Sequence, residues 1–351
     1  MLTLEELGGW PAVLGPLCAH RDLSAAEAGA AMAEILRGDA SPAQIAAFAV
    51  ALRIKGETVE EMAGLVRAML EFAEPVPLSP ELAAVVIDTC GTGGDRSGTI
   101  NISTVAAFVA AGAGARVCKH GNRAASSKAG SADVLEALGV AVDLAPAGVV
   151  RCVEEAGMGF CFAARFHAAL RHAAPVRRDL GVPTVFNFLG PLANPARVRR
   201  QVVGVSDPRM ADKVLGVLRA NGAEHALVVF GHDGLDELTT ADTSTVHELR
   251  GGAVRTYVVD PAELGFAPAG RADLIGGDAA VNAERARTVL GGQPGPMRDI
   301  VVLNAAAALV VADVADGLAD GIELAAAAID DGRAAGVVRQ LVRVSQEAAG
   351  A

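Results

Sequence analysis

The chain reads as an α/β protein, with a small N-terminal helical domain and a larger α/β domain built on a mostly parallel central sheet. Three observations carry this reading. Roughly the first 75 residues hold helix signals and no strand signals. A segment with three prolines, EPVPLSPEL (74–82), then interrupts the pattern. From residue 83, short β-branched runs alternate with helical ones. At 351 residues, two domains at 1–77 and 78–351 suit the chain better than one unit.

The helical part is punctuated at both ends of its elements. Ser24 with Glu27 and Thr58 with Glu61 form S/T-x-x-E capping boxes, and Ser41-Pro42 places a cap before a first-turn proline. Gly38 and Gly56 close the helices they follow. Beyond the linker, AAVVI (83–87) precedes STVAAFVAAG (103–112), and ARVC (115–118) precedes SADVLEALG (131–139). QVVGV (201–205) precedes PRMADKVLGVLRANG (208–222), and HALVVF (225–230) precedes a glycine-containing turn. VHELRGG (246–252) and VRTYVV (254–259) read as an added hairpin. The tail from Arg298 is helical, with IVVLNAAAALVVA (300–312) a buried helix rather than a membrane span.

Composition excludes several classes. Apolar residues at 52% and charged residues at 20% describe a globular chain, and a net charge of −11 argues against a nucleic-acid binder. MLTLEELGGW lacks the positive charge of a signal peptide, and the uncharged stretch from Ser97 to Ala115 is too polar to span a bilayer. The five scattered cysteines fit reduced thiols in a cytoplasm, with Cys90 and Cys118 as small apolar filler.

Ligands of open parallel sheets bind beyond the carboxyl ends of the strands. DTCGTGGDRSGTINIST (88–104) occupies such a place, between a strand and a helix beginning near Ser103. Its glycines let backbone N–H groups approach an anion, and Asn101, Ser103 and Thr104 add donors, although NIST also caps a helix without any ligand. A second loop, KHGNRAASSKAG (119–130), carries Lys119, His120, Asn122, Arg123, Ser126, Ser127 and Lys128, with Ser131 capping the next helix. Two of the four lysines of an acidic chain fall there, which points to a phosphorylated ligand. In GHDGLDELTT (231–240), Asp236 and Glu237 are adjacent carboxylates suited to Mg²⁺ beside a polyphosphate. In RFHAALRHAAPVRRDLGVPTVFNFLGPLANP (165–195), one of Arg177 and Arg178 can meet a carboxylate; neighbouring arginines lie on different helix faces.

Together, GTGGD, NIST, KHGNRAASSKAGSADVLEALG, VRRDLG, NFLGPLANP and DGLDE, in this order and spacing, resemble the anthranilate phosphoribosyltransferase family of tryptophan biosynthesis. The resemblance covers most of the chain. It implies a site between the two domains, a segment near 167–190 that returns to the helical domain, and a homodimer formed through that domain. It further implies transfer of the 5-phosphoribosyl group of phosphoribosyl pyrophosphate to the amine of anthranilate, with release of pyrophosphate. Carried over by position, phosphoribosyl pyrophosphate would be held by Gly91, Gly94, Asp95, Thr99, Asn101, Ile102, Ser103 and Thr104. Lys119, His120, Gly121, Asn122, Arg123, Ala124, Ala125, Ser126, Ser127 and Ser131 would complete that site. Gly91, Asn122 and Arg177 would meet anthranilate, and Ser103, Asp236 and Glu237 would bind two Mg²⁺.

The anthranilate amine is unprotonated at neutral pH, so no strong base is needed; His120 is the one titratable candidate in the right loop, and orienting a substrate is its better role. The chain departs from the family at AARFHAA (163–169): Ala164 and Ala168 stand where members commonly carry prolines, which bears on the wall of the amine channel. Two rivals remain, a pyrimidine nucleoside phosphorylase-like enzyme and a non-catalytic nucleic-acid-binding relative. The first carries KHS where this chain has KHGN, and the second would show a basic surface and lose the paired carboxylates.

Overall fold

Four helices open the computed structural model, which describes residues 2–124 and 128–350: α1 (Trp10–Cys18), α2 (Ala25–Arg37), α3 (Pro42–Lys55) and α4 (Val59–Phe72). Ser24, Ser41 and Thr58 each accept from the N–H three residues on, while Glu27, Gln44 and Glu61 reach back to the cap N–H. Gln44 thus completes a third capping box beyond the two expected. Gly38 and Gly56 end α2 and α3 at φ of 87° and 88°, where a β-carbon is disfavoured. Glu61 is buried in this layer and accepts from the Leu23 N–H at 2.9 Å, the Thr58 N–H at 2.8 Å and Lys55 Nζ at 3.0 Å.

A short helix, α5 (Pro80–Val85), then leads into β1 (Val86–Gly91). There follow α6 (Ile102–Gly112), β2 (Arg116–Gly121), α7 (Ser131–Leu138), α8 (Pro146–Ala156) and β3 (Met158–Phe162). The short helices α9 (Ala163–Phe166), α10 (Ala174–Leu180) and α11 (Phe186–Leu189) precede β4 (Arg200–Gly204), α12 (Ala211–Ala220) and β5 (His225–Gly231). The hairpin β6 (Ser244–Arg250) and β7 (Ala253–Val259) is followed by α13 (Ala279–Leu290), α14 (Pro296–Val311), α15 (Leu318–Asp330) and α16 (Arg333–Ala349). The sheet order is β3-β2-β1-β4-β5-β6-β7; β3 to β5 run parallel, and the hairpin adds two antiparallel strands.

Two expected strands are displaced. Residues 83–85 of AAVVI are helical and the strand runs on through Asp88 to Gly91, while the ARVC strand begins at Arg116 and continues through Lys119 and His120 to Gly121. Polar residues there read as loop, yet β1 and β2 each pair on both sides, and their polar side chains find buried partners instead of water.

The buried apolar residues form two clusters. In one, Val86, Val117 and Leu227 of the sheet meet α6, α8, α14 and α16. In the other, Val203 and Val228 meet α12, the four N-terminal helices and the segment carrying Ala173, Val176, Phe186 and Phe188. Residues 300–311 of α14 are buried throughout, as their apolar run indicated. Among the described residues no helix is long and apolar enough to cross a membrane. All five cysteines are free, with Cys90 and Cys118 buried.

Candidate functional site

The strand order diverges between β1 and β4: α6, which follows β1, packs into one core, and α12, which follows β4, into the other. Such a switch point opens a crevice at the carboxyl ends of the strands. Gly91 and Gly204 end the two strands as paired neighbours. A β-carbon on Gly91 would overlap the Asp236 carboxylate, and one on Gly204 would overlap the Asp236 carbonyl oxygen. The glycines are required by this close approach, which lays the 231–240 loop across both strand ends.

That loop is anchored from three sides. Asp236 Oδ2 accepts from the Gly93 N–H at 2.7 Å, and Glu237 Oε1 accepts from the Ser103 N–H at 3.1 Å, in the first turn of α6. The Leu238 N–H donates to Asn304 Oδ1 at 3.0 Å, and its carbonyl accepts from Asn304 Nδ2 at 2.8 Å. Burial, reinforced by the charge of Asp95, pushes Asp236 up to about 7. Burial, reinforced by Asp236, pushes Glu237 up to about 8 against the pull of Lys119. Lys119 is itself buried and donates to the Thr89 carbonyl and, at 3.4 Å, to Ser103 Oγ.

The adjacent carboxylates of buried Asp236 and half-buried Glu237 thus have one buried lysine beside Glu237 to offset them, a charge deficit that a divalent ion would fill. Among the described residues no group of three or more His, Cys, Asp or Glu side chains gathers to hold a metal alone. Asp236, Glu237 and the Ser103 hydroxyl nevertheless fit Mg²⁺, which takes one or two carboxylates and fills its octahedron with waters and phosphate oxygens.

The GTGGD loop turns through Gly93 and Gly94 at φ of 65° and 84°. Ser206, beyond β4, fastens it by donating from Oγ to the Gly93 carbonyl at 2.8 Å and from its N–H to Thr92 Oγ1 at 3.1 Å. A cavity of about 310 Å³ adjoins this contact, lined by Ser206, Pro208, Phe230 and His232 among others. Asp95 Oδ1 accepts from the Ser97 N–H, and Thr99 bridges Ile275 across the loop. NIST does not cap α6 by a side chain: the Asn101 amide donates to the Ala129 carbonyl at 3.0 Å and accepts from Asn282 Nδ2 at 2.9 Å. The first-turn N–H of Ser103 goes to Glu237 instead, while Ile102 and Thr104 are buried beneath.

Ser131 does not cap α7 either. It is the first helical residue, and its hydroxyl donates to the Asn122 carbonyl at 3.2 Å, close against Gly121. The cap is Gly130, whose N–H donates to Asp133 Oδ2 at 2.8 Å; the Ala124 N–H donates to the same oxygen at 3.0 Å. Asn122 Oδ1 accepts from the Arg123 N–H. The Arg123 guanidinium is engaged by Asp133 at 3.0 Å and Glu136 at 2.8 Å, and lies over the Phe162 ring. Ala125, Ser126 and Ser127 lie outside the described residues.

His120 is buried on β2. Its N–H donates to Asp88 Oδ1 at 3.0 Å and its ring Nδ1–H to the Gly190 carbonyl at 3.0 Å, while the buried Nε2 has no protein partner. Burial, helped by neighbouring His167, lowers its pKa to about 3, so it is neutral near pH 7 and too weak a base to collect a proton. Arg177 is half-buried over the Phe186 ring, and burial depresses its pKa; Arg178 is exposed. Ala164 and Ala168 are exposed on either side of the buried His167.

Sequence reading missed Asp88, His167, Asn194, Ser206, Asn282 and Asn304. Only Asn304 carried a visible signal, as the one polar residue in the run 300–311.

Comparison with known proteins identifies the family and the fold. The glycosyl transferase family models match twice, the helical bundle domain over residues 11–73 and the a/b domain over residues 83–335. An anthranilate phosphoribosyltransferase of Salinispora arenicola is 53% identical over 341 residues, covering 96% of each chain. The crystal structure of anthranilate phosphoribosyltransferase from Thermus thermophilus superposes with a TM-score of 0.90 at 40% identity, covering 95% of this chain and 99% of that one. The Saccharomyces cerevisiae anthranilate phosphoribosyltransferase in complex with PRPP and Mg gives 0.86 at 26% identity, over 96% and 98% of the chains. The same yeast protein in complex with 4-fluoroanthranilate gives 0.87 at 25% identity, with the same coverage. Sharing both domains of the glycosyl transferase family and more than half of its residues with such a relative, the chain belongs to the anthranilate phosphoribosyltransferase family.

Proposed function

We propose that the chain transfers the 5-phosphoribosyl group of phosphoribosyl pyrophosphate to the anthranilate amine, giving N-(5-phosphoribosyl)anthranilate and pyrophosphate, the second step of tryptophan synthesis from chorismate. The observation that carries this is the adjacent Asp236–Glu237 pair, short of positive charge, set against Lys119 and the first turn of α6. The yeast relative's complexes with PRPP and Mg and with 4-fluoroanthranilate support it.

Bond breaking at the anomeric carbon leaves an electron-poor centre and a highly charged leaving group. Catalysis therefore consists of positioning the amine and stabilising the departing charge. Gly91, Gly94, Asp95 and Thr99 with Asn101 to Thr104 cradle phosphoribosyl pyrophosphate from one side. Lys119 to Ala124 and Ser131 close the other side, with Ala125, Ser126 and Ser127 assigned to the same ligand by the family resemblance, and Lys119 supplies a buried charge. The loop carrying Asp236 and Glu237, together with Ser103, would hold two Mg²⁺ shared with the pyrophosphate. When bound, Mg²⁺ supplies Lewis-acid stabilisation of the leaving group. Arg177, desolvated and short of a carboxylate, receives that of anthranilate, with Gly91 and Asn122 lining the same subsite.

We assign residues 1–77, with the returning segment near 167–190, to the helical domain and 78–351 to the α/β domain; the two buried clusters support this division. A homodimer through the helical domain is supported by Ile54, 69% exposed, and Phe72, 37% exposed, on its surface. Five free cysteines support a cytoplasmic setting.

Calorimetric titration with phosphoribosyl pyrophosphate, with and without Mg²⁺, followed by fluorescence assay of anthranilate consumption, tests the reading. Binding that requires Mg²⁺ and turnover of anthranilate are expected. Binding indifferent to Mg²⁺, or no consumption of anthranilate, would overturn it.

A further inference from the structure

The stretch Gly190–Asn194 adjoins the two histidines beside the site and is held by several buried polar contacts. Asn194 is their centre. Its Nδ2 donates to Asp88 Oδ2 at 2.8 Å and to the Cys118 carbonyl at 2.8 Å, and its Oδ1 accepts from the Ala196 N–H at 2.8 Å. One side chain therefore ties the stretch to β1 through Asp88 and to β2 through Cys118. Gln201 on β4 adds a third tie, donating from Nε2 to the Pro191 carbonyl at 3.0 Å. Asn194, Asp88 and Gln201 are all buried, so each lost contact leaves a polar group without water to replace it.

The carbonyls of this tethered stretch hold the two rings. Gly190 O takes the Nδ1–H of His120 at 3.0 Å, and Ala193 O takes the Nε2–H of His167 at 2.8 Å. A carbonyl only accepts, so each contact dictates which ring nitrogen carries the hydrogen. His120 is fixed as its Nδ1–H tautomer and His167 as its Nε2–H tautomer, with the rings 5.1 Å apart. His120 is left with a free lone pair on Nε2, buried and without a protein partner.

We propose that Asn194 is a positioning residue: by fastening Gly190–Asn194 to β1 and β2 it sets the tautomers and orientation of His120 and His167, and so the hydrogen-bonding pattern offered to the amine substrate. Asn194 itself touches no substrate; it acts through the two carbonyls. The substrate part of this inference rests on the function proposed above, whereas the tautomer part does not.

The test compares the parent with Asn194→Ala in two measurements. ¹⁵N-detected NMR of the histidine rings, without substrate, should show His120 as the Nδ1–H form in the parent and a mixture with the Nε2–H form in the variant. Steady-state kinetics should show the KM for anthranilate raised about tenfold while that for phosphoribosyl pyrophosphate stays within about twofold. General loosening of the fold would move both constants together, and that result overturns the proposal. An unchanged His120 tautomer in the folded variant overturns it as well. Should Asn194→Ala not fold, Gln201→Met removes one donor to the same stretch and should produce a smaller shift confined to anthranilate; equal shifts in both constants again count against the idea. If the parent consumes no anthranilate, the substrate reading falls, and the ring spectra alone decide whether Asn194 sets the tautomer.

Discussion

The chain sets a buried lysine side chain beside a glutamate twice, and the two settings differ. In the helical layer, Glu61 accepts from Lys55, Leu23 and Thr58, while Lys55 also reaches Asp22 at 2.7 Å and the Gly56 carbonyl at 2.8 Å. Burial works against the Lys55 charge, but the bonds to Asp22 and Glu61 outweigh it and raise its pKa. At the strand ends, Glu237 takes one backbone N–H, stands next to the buried Asp236 carboxylate, and is pushed up to about 8. The first pair is locally complete and belongs to the architecture. The second is left short of positive charge, which is the condition for recruiting a ligand that carries it.

The comparison can be broken most severely at Gly204. Gly204→Ala drives a methyl into the Asp236 carbonyl, so the acidic loop must move away while the helical pair is untouched. kcat/KM should fall by about a hundredfold or more, as for misplacements of about 1 Å, with the circular dichroism spectrum retained.

Neutralising each glutamate should give opposite signs. Glu61→Gln weakens acceptors for buried N–H groups and for Lys55, and should cost about 1–3 kcal/mol in urea unfolding. Asp236→Asn and Glu237→Gln remove carboxylates that are uncompensated when ionised, so above about pH 8 the metal-free protein should gain stability, while more Mg²⁺ is needed for activity. If both site variants respond to Mg²⁺ as the parent does, the loop is only a turn.

Arg177→Ala should cost about 1.5–3 kcal/mol, as for a bond to a charged group, seen mostly in the KM for anthranilate. Arg178→Ala, on the exposed face, should matter less. Equal effects would count against the choice of Arg177.

The pH dependence sharpens the contrast further. Asp236 and Glu237 bind protons more tightly folded than unfolded, so the folded chain retains protons that the unfolded chain has released. The associated stability is full below the ordinary carboxylate range and is lost as pH rises through about 7 to 8. Metal-free thermal scans from about pH 5 to 9 should show that decline in the parent and a flatter profile in the Asp236→Asn, Glu237→Gln double variant. A parent profile as flat as that of the double variant would contradict the raised values.

The smallest effect concerns Ala164 and Ala168. Both are exposed and flank the buried His167, so restoring proline stiffens the segment holding that ring. Ala164→Pro with Ala168→Pro should stabilise by about 0.4–1 kcal/mol where the geometry is compatible, and should raise kcat/KM for anthranilate over its methyl-substituted analogues. An unaltered ratio would make the alanines neutral.

Much of this was legible in order of locality. Capping boxes, the alternation of strands and helices, and the glycine-rich loops are written in adjacent residues, and they foretold the helical layer, the parallel sheet and the acidic loop across its edge. Strand limits failed where Asp88, Lys119 and His120 sit inside central strands, because only the folded sheet supplies their partners. The cap assigned to NIST failed for the same reason, since distant Glu237 takes that role, whereas that of Ser131 was displaced locally by Gly130 and Asp133. Ser206, Asn194 and Asn282 act across more than a hundred residues of chain or through tertiary approach, and nothing adjacent to them announces it.

The two-way pairing of Asn304 with Leu238 has a kinetic consequence. It gives a loop amide the partner and burial of a core amide, at the residue next to Glu237. Deuterium should therefore reach the Leu238 amide only on the timescale of global opening, orders of magnitude more slowly than it reaches the amides of ordinary connections. The acidic loop is then a stationary anvil against which a bound ligand would be held.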